Sequence, residues 1–257
     1  MKNRGKQRWG ITEALLAWPA AVMVGTMAYI VVLQAGGYSS AIPERPGGHL
    51  GRAAAQLAAG EELRNDTVPL LWQMLLLVPG WIALLGVCWI FAGVLQHERV
   101  GWSLRGKASD LPIGVFAGAI LQVPILVIVM TIVQVIFGEI EPSGRALALV
   151  DTADTWPKVA LLILFVGIGA PVVEELFYRG IVQRWLVDTV GPVLGITLAS
   201  VIFGAVHLSL IEFAPLAVVG AVLGYLFWKT GRLLPAIVAH STFNLITLVN
   251  LVTASRS

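Results

Sequence analysis

Pro171-Val-Val-Glu174-Glu175-Leu-Phe-Tyr-Arg179-Gly180 places two acids and a guanidinium directly after Val159 to Ala170, a run without an ionisable side chain. The upstream run predicts a membrane-buried helix, so these charges fall where insertion scales assign each a cost of about 2.5 to 3.5 kcal/mol. Glu175 and Arg179 are four residues apart and share one helical face, while Glu174 is turned about 100° away. One carboxylate is thus expected in a pair and the other is left for chemistry. Pro171 cannot donate to the carbonyl of Gly167, and Gly167 and Gly169 loosen the same turn, so the backbone should kink just above the acids and open a cavity there.

The rest of the chain agrees with a membrane setting. Of its 257 residues, 57% are hydrophobic and 12% charged, and the mean hydropathy of +0.83 points to a polytopic all-α bundle with no large soluble domain. A formal net charge of +2, with the basic residues at helix ends, excludes a nucleic-acid partner. Cys88 is the lone cysteine, so neither an internal disulfide nor a cysteine-based metal site can form. Any metal would need histidine and carboxylate.

Hydropathy predicts seven spans in one membrane domain covering residues 1–257. The first runs from Ile11 to Leu33 behind Lys2, Arg4, Lys6 and Arg8, and a polar loop follows in which Arg52 to Arg64 reads as a short surface helix. The second is Val68 to Leu95 and the third Leu111 to Phe137. After a polar loop from Gly138 to Pro157, the fourth extends to about Val187, the fifth from Val193 to Leu208, the sixth from Phe213 to Trp228 and the seventh from Leu233 to Val252. With the N-terminus in the cytoplasm, Lys2, Arg4, Lys6, Arg8, Arg99, Arg105, Lys107, Arg179, Arg184, Lys229 and Arg232 fall inside. Arg45, Arg52, Arg64, Arg145, Lys158 and Arg256 fall outside. This bias of basic residues predicts that orientation in a cell membrane.

Further polar groups stand on later helices. The fifth carries Phe203-Gly-Ala-Val-His207 and the seventh His240-Ser-Thr-Phe-Asn244, whose histidine and asparagine share a face. Counted from the intervening turns at about 1.5 Å per residue, Glu174, Glu175, His207, His240 and Asn244 reach similar depths on three helices. Alone, each has a plainer reading. A buried histidine or asparagine joins helices, and Arg179 could reach the cytoplasmic surface as an anchor. An arginine-paired Glu175 still leaves Glu174 to be explained.

Glu174-Glu175…Arg179, Phe203…His207 and His240…Asn244, in this order on successive membrane helices, resemble the pattern of the CPBP family. Its members are the CAAX proteases and bacteriocin-processing enzymes, also called Abi proteins. The resemblance covers about Val159 to Val252, so residues 157–252 form the motif-bearing core. It implies an intramembrane endopeptidase reached from the cytoplasmic side, in a bundle of eight spans rather than seven. Carried over by residue, Glu174 resembles the general base and His207 its partner in activating water. His240 and Asn244 resemble the groups that bind the carbonyl oxygen and the oxyanion, with Glu175 and Arg179 ordering the charge network. The expected partners are the bilayer and a membrane-associated protein, a prenylated peptide or a leader peptide.

Two mechanisms remain open at this level. Glu174, His207 and His240 could hold one zinc ion with a position left for water, as the family's common naming as metalloproteases implies. Alternatively, Glu174 could act on water directly, with no cofactor. Two other functions compete: a proton-coupled transporter using the acids and histidines as a relay, and a catalytically silent immunity or scaffold protein. No inverted repeat supports the first, and the complete motif set argues against the second.

Overall fold

Apolar runs bounded by glycine, proline and charge become helices, and the computed structural model describes residues 19, 20, 23, 27, 31, 70–75, 77–90, 105–138, 149–207 and 209–256. No strand occurs among them. Of the expected first span, only Pro19, Ala20, Met23, Met27 and Val31 are described, all helical. The surface helix expected at Arg52 to Arg64 lies outside the described residues. The second span is described as α1 (Leu70–Leu75) and α2 (Leu77–Ile90).

The third span is α3 (Asp110–Ile120) and α4 (Leu126–Phe137), joined by a π-helical turn, Leu121–Ile125, that accommodates Pro124. The fourth is α5 (Trp156–Leu162), α6 (Ala170–Phe177) and α7 (Arg184–Val190), joined by π segments Ile163–Gly169 and Tyr178–Gln183. Then come α8 (Pro192–Ala205), α9 (Leu210–Thr230) and α10 (Leu233–Ala254). Gly191 and Gly231 make the tight turns at φ 86° and 65°, a region that favours glycine. Among the described residues, four rods are long and apolar enough to cross a membrane: Asp110–Ile136, Trp156–Val190, Leu210–Thr230 and Leu233–Ala254. Phe116, Val135 and Leu210 are exposed on their outer faces, as lipid-facing positions should be.

The expected fifth span, Val193 to Leu208, is shorter in the structure. Helix α8 stops at Ala205 after 14 residues, about 21 Å. The cause lies just downstream, where Ser209 adopts an extended conformation and its hydroxyl accepts the Glu212 amide, capping α9. The chain must leave the helix before such a cap, so His207 occupies the turn. For the same reason the sixth span starts at Leu210 rather than Phe213.

Small residues set the helix pairs. A Cβ added to Gly114 or Gly118 of α3 would meet Val238 or the Ala239 carbonyl of α10 at 2.5 and 2.4 Å. Gly204 and Gly220 bring α8 and α9 together in the same way. The core between these pairs contains Leu121, Val173, Phe177, Tyr178, Phe203, Leu223, Leu233, Ala236 and Ala239, while Leu70, Val150, Val159, Leu162, Leu248 and Val252 form a second cluster.

An arginine ties each end of the bundle. At one, Arg232 donates through Nε to both oxygens of the buried Asp110 carboxylate at 3.1 and 2.8 Å, tying the start of α3 to the α9–α10 turn. At the other, Arg256 bonds the Ala153 carbonyl at 3.1 Å and its guanidinium lies over the Trp156 ring. Arg179 corrects the charge count: at 1% exposure it belongs to the interior and not to a cytoplasmic loop.

Candidate active site

Helix α6 and the π segment after it present the acids to α9 and α10. Glu175 is fully buried, and its Oε1 lies 3.0 Å from Arg179 Nη1 and 3.0 Å from His240 Nδ1. A carboxylate only accepts, so His240 carries its Nδ1 hydrogen toward Glu175. Arg179 in turn donates Nη2–H to the Gly220 carbonyl at 3.1 Å, and one turn further on Gln183 donates Nε2–H to Gly224 at 2.8 Å. The missing side chain at Gly224 lets Gln183 reach the α9 backbone, since a Cβ there would sit 2.6 Å from Gln183 Oε1.

Glu174 is placed differently. Its side chain retains 22% of its exposure, and its Oε2 approaches His240 Nε2 at 4.0 Å. Two adjacent acids therefore have two environments, one locked between arginine and histidine and one at an open edge. The spacing had separated their faces, and the structure supplies His240 as the group between them.

Phe203, with no exposed surface, joins these residues to His207. Its ring lies 5.2 Å from the His207 ring, 5.7 Å from His240 and 5.3 Å from Tyr178, and the Arg179 guanidinium sits 4.5 Å above it. The aromatic face suits that cation and orients both imidazoles by their edges. His207 Nδ1 is 2.8 Å from the Phe203 carbonyl. A carbonyl accepts, so Nδ1 bears the hydrogen, and Nε2 is the accepting nitrogen of the neutral ring.

Glu175 thus contacts both Arg179 and His240, Glu174 approaches His240, and His207 joins them through Phe203. Asn244, one turn beyond His240, is directed elsewhere: its Nδ2 donates to the Val166 carbonyl at 2.9 Å. Gln183, Gly220 and Gly224 belong to the site's support and escaped the sequence reading. Their signal was available, since Arg179 and Gln183 are four apart and so are Gly220 and Gly224.

Of the expected zinc ligands, Glu174 and His240 are the pair whose approach is shown. Ligand atoms sharing a tetrahedral zinc at ~2.1 Å stand ~3.4 Å apart, whereas Glu174 Oε2 and His240 Nε2 are 4.0 Å apart. Among the described residues, no three His, Cys, Asp or Glu side chains are grouped to hold a metal.

Residues 156–246 match the family described as type II CAAX prenyl endopeptidase Rce1-like, a segment that contains all six motif residues. The match covers about a third of the chain, and over that segment the chain is similar to this family. The chain is also similar to "Putative membrane peptidase YdiL" of Bacillus subtilis (strain 168), 27% identical over 154 residues. That alignment covers 60% of this chain and 59% of the relative, so the chain matches under two thirds of the relative's length. No solved structure matches significantly. With four long apolar rods among the described residues, the chain is a multi-pass membrane protein.

Proposed function

We propose that the protein is a membrane-embedded endopeptidase in which Glu174 activates water against a peptide bond of a membrane-associated protein, prenylated peptide or leader peptide. The observation that carries this reading is the contrast between the two acids: Glu175 is fully buried on Arg179 and His240, whereas Glu174 keeps an open edge. A water held by Glu174 and by the accepting Nε2 of His207 would have both hydrogens engaged and its oxygen lone pair directed at substrate. Glu174 takes one proton as the oxygen attacks the carbonyl carbon, then delivers it to the departing nitrogen as the C–N bond breaks; the second water proton stays on the new carboxylic acid, which releases it to the amine through solvent, leaving a carboxylate and an ammonium. His240, when doubly protonated, offers Nε2–H to the oxyanion while Glu175 holds its other side.

Quantitative proteomics of membranes from cells expressing wild type or Glu174→Ala tests this. Intact substrates should accumulate with the variant and their fragments should disappear. Identical fragment patterns would refute the endopeptidase reading.

The same mechanism predicts no stoichiometric metal, since Glu174 works on water directly. Elemental analysis of active protein should find under about a tenth of an equivalent of zinc, and chelators should leave turnover unchanged. About one equivalent, lost together with activity in His207→Ala or His240→Ala, would establish a three-ligand zinc site instead.

We further propose that the site opens toward the cytoplasm and that the N-terminus lies there. The interior position of Arg179 removes one charge from the inner count, yet Arg105, Lys107, Arg184, Lys229 and Arg232 still outnumber Lys158 and Arg256 among the described residues. A reporter fused after Asp188 should read cytoplasmic and one inserted between Gly138 and Pro157 extracytoplasmic. The opposite pattern would reverse the orientation.

A further inference from the structure

The backbone above the acids has a defect, and a side chain from another helix closes it. In the π segment Ile163–Gly169, the Ala170 amide donates to the Phe165 carbonyl, five residues back, where an α-helix would reach back four. The next bond in that register would join the Pro171 amide to the Val166 carbonyl. Proline has no N–H to give. Asn244 Nδ2 stands 2.9 Å from that Val166 oxygen.

We infer that Asn244 is a positioning residue: it supplies the hydrogen bond that Pro171 cannot, and so keeps the wide turn that aims Glu174 and Glu175 at α10. The rotational argument is direct. A π turn contains one more residue than an α turn, so its collapse would rotate everything downstream by about 100° relative to α5. That is the angle separating the two acids, and such a rotation would take Glu175 from His240 or Glu174 from its open edge. Asn244 and His240 are one turn apart on the same helix. One element therefore holds Glu175 through His240 and the wide turn above it through Asn244. Gly167 lets that helix approach closely, since a Cβ there would meet Leu245 at 2.6 Å.

This role differs from the oxyanion contact that the family resemblance implies for Asn244, and the two respond differently to Pro171→Ala, which restores a backbone donor to Val166. Four proteins are compared as the purified full chain in detergent: wild type, Asn244→Leu, Pro171→Ala and the double variant. Asn244→Leu should shift the folding equilibrium about tenfold toward unfolding, because a part-buried carbonyl in an apolar setting loses its partner. The melting temperature should fall by about 3 to 6 °C. In the Pro171→Ala background the same substitution should lower it by no more than about 1 °C. Turnover of a farnesylated CAAX-type peptide should follow the same pattern, lost in Asn244→Leu and regained in the double variant. That arm rests on the proposed peptidase activity, whereas the melting arm does not. If no variant, wild type included, cleaves the peptide while the melting pattern holds, the brace stands and that substrate fails. An Asn244→Leu protein that melts like wild type, or an equal loss in both backgrounds, would overturn the brace and return Asn244 to the oxyanion.

Discussion

Glu174→Gln is expected to abolish proteolysis and leave the fold intact. The substitution removes the one feature a general base needs, an ionised oxygen that can take a proton, and keeps the length and planarity of the side chain. General-base contributions run to about 10²- to 10⁴-fold, so turnover of a farnesylated CAAX-type peptide should drop by at least that range. Little stability should be lost, because the side chain is 22% exposed and its Oε2 stands 4.0 Å from His240 Nε2, beyond hydrogen-bond distance. A change in stability within about 0.5 kcal/mol is the expectation for such a position. The control is Glu175→Gln, which should fail for another reason: it removes the charge that faces Arg179 and His240 inside the protein, so stability and activity fall together. Wild-type turnover in Glu174→Gln would end the assignment of Glu174 as base.

That contrast shows how far the sequence could be read. The helix face shared by Glu175 and Arg179 follows from their spacing alone, and the pair is present at 3.0 Å. The long rods were legible because period and apolar length survive any tertiary context, and four of them are found among the described residues. Hydropathy could not mark the end of α8. It registers the apolar Gly204-Ala-Val run but not the Ser209 cap that forces the chain out of the helix. The Asn244 contact was hidden for a similar reason. Pro171 announced a lost donor, yet α-helical counting assigned the orphan carbonyl to Gly167, whereas the π register moves it to Val166. The supporting role of the third span was also out of reach. Gly114 and Gly118 acquire meaning only when α10 is known to be their neighbour.

Arg179→Ala should produce the largest loss of stability in the protein. Three groups depend on its guanidinium: the Glu175 carboxylate at 3.0 Å, the Gly220 carbonyl at 3.1 Å and the Phe203 ring at 4.5 Å. Individual hydrogen bonds between membrane helices average about 0.6 kcal/mol in double-mutant cycles, so the Gly220 contact alone would be a minor loss. The ion pair decides the outcome. Glu175 has no exposed surface, and its Oε2 is buried without a hydrogen-bond partner, so removal of Arg179 leaves a carboxylate with only His240 to compensate it. Breaking a buried pair from one side costs about 3 to 5 kcal/mol, enough to lower both yield and the melting temperature in detergent. Arg179→Lys should recover part of this, since an ammonium can face Glu175 but cannot also fork to Gly220 and lie flat on Phe203. Replacing both partners, Glu175→Leu with Arg179→Met, separates structure from chemistry: exchanging a buried ion pair for apolar side chains is often neutral or better for stability. The double variant should therefore melt close to wild type and remain inactive, because His240 loses the carboxylate that orients its Nδ1–H. A stable, inactive Arg179→Ala protein would show instead that the guanidinium acts on the substrate.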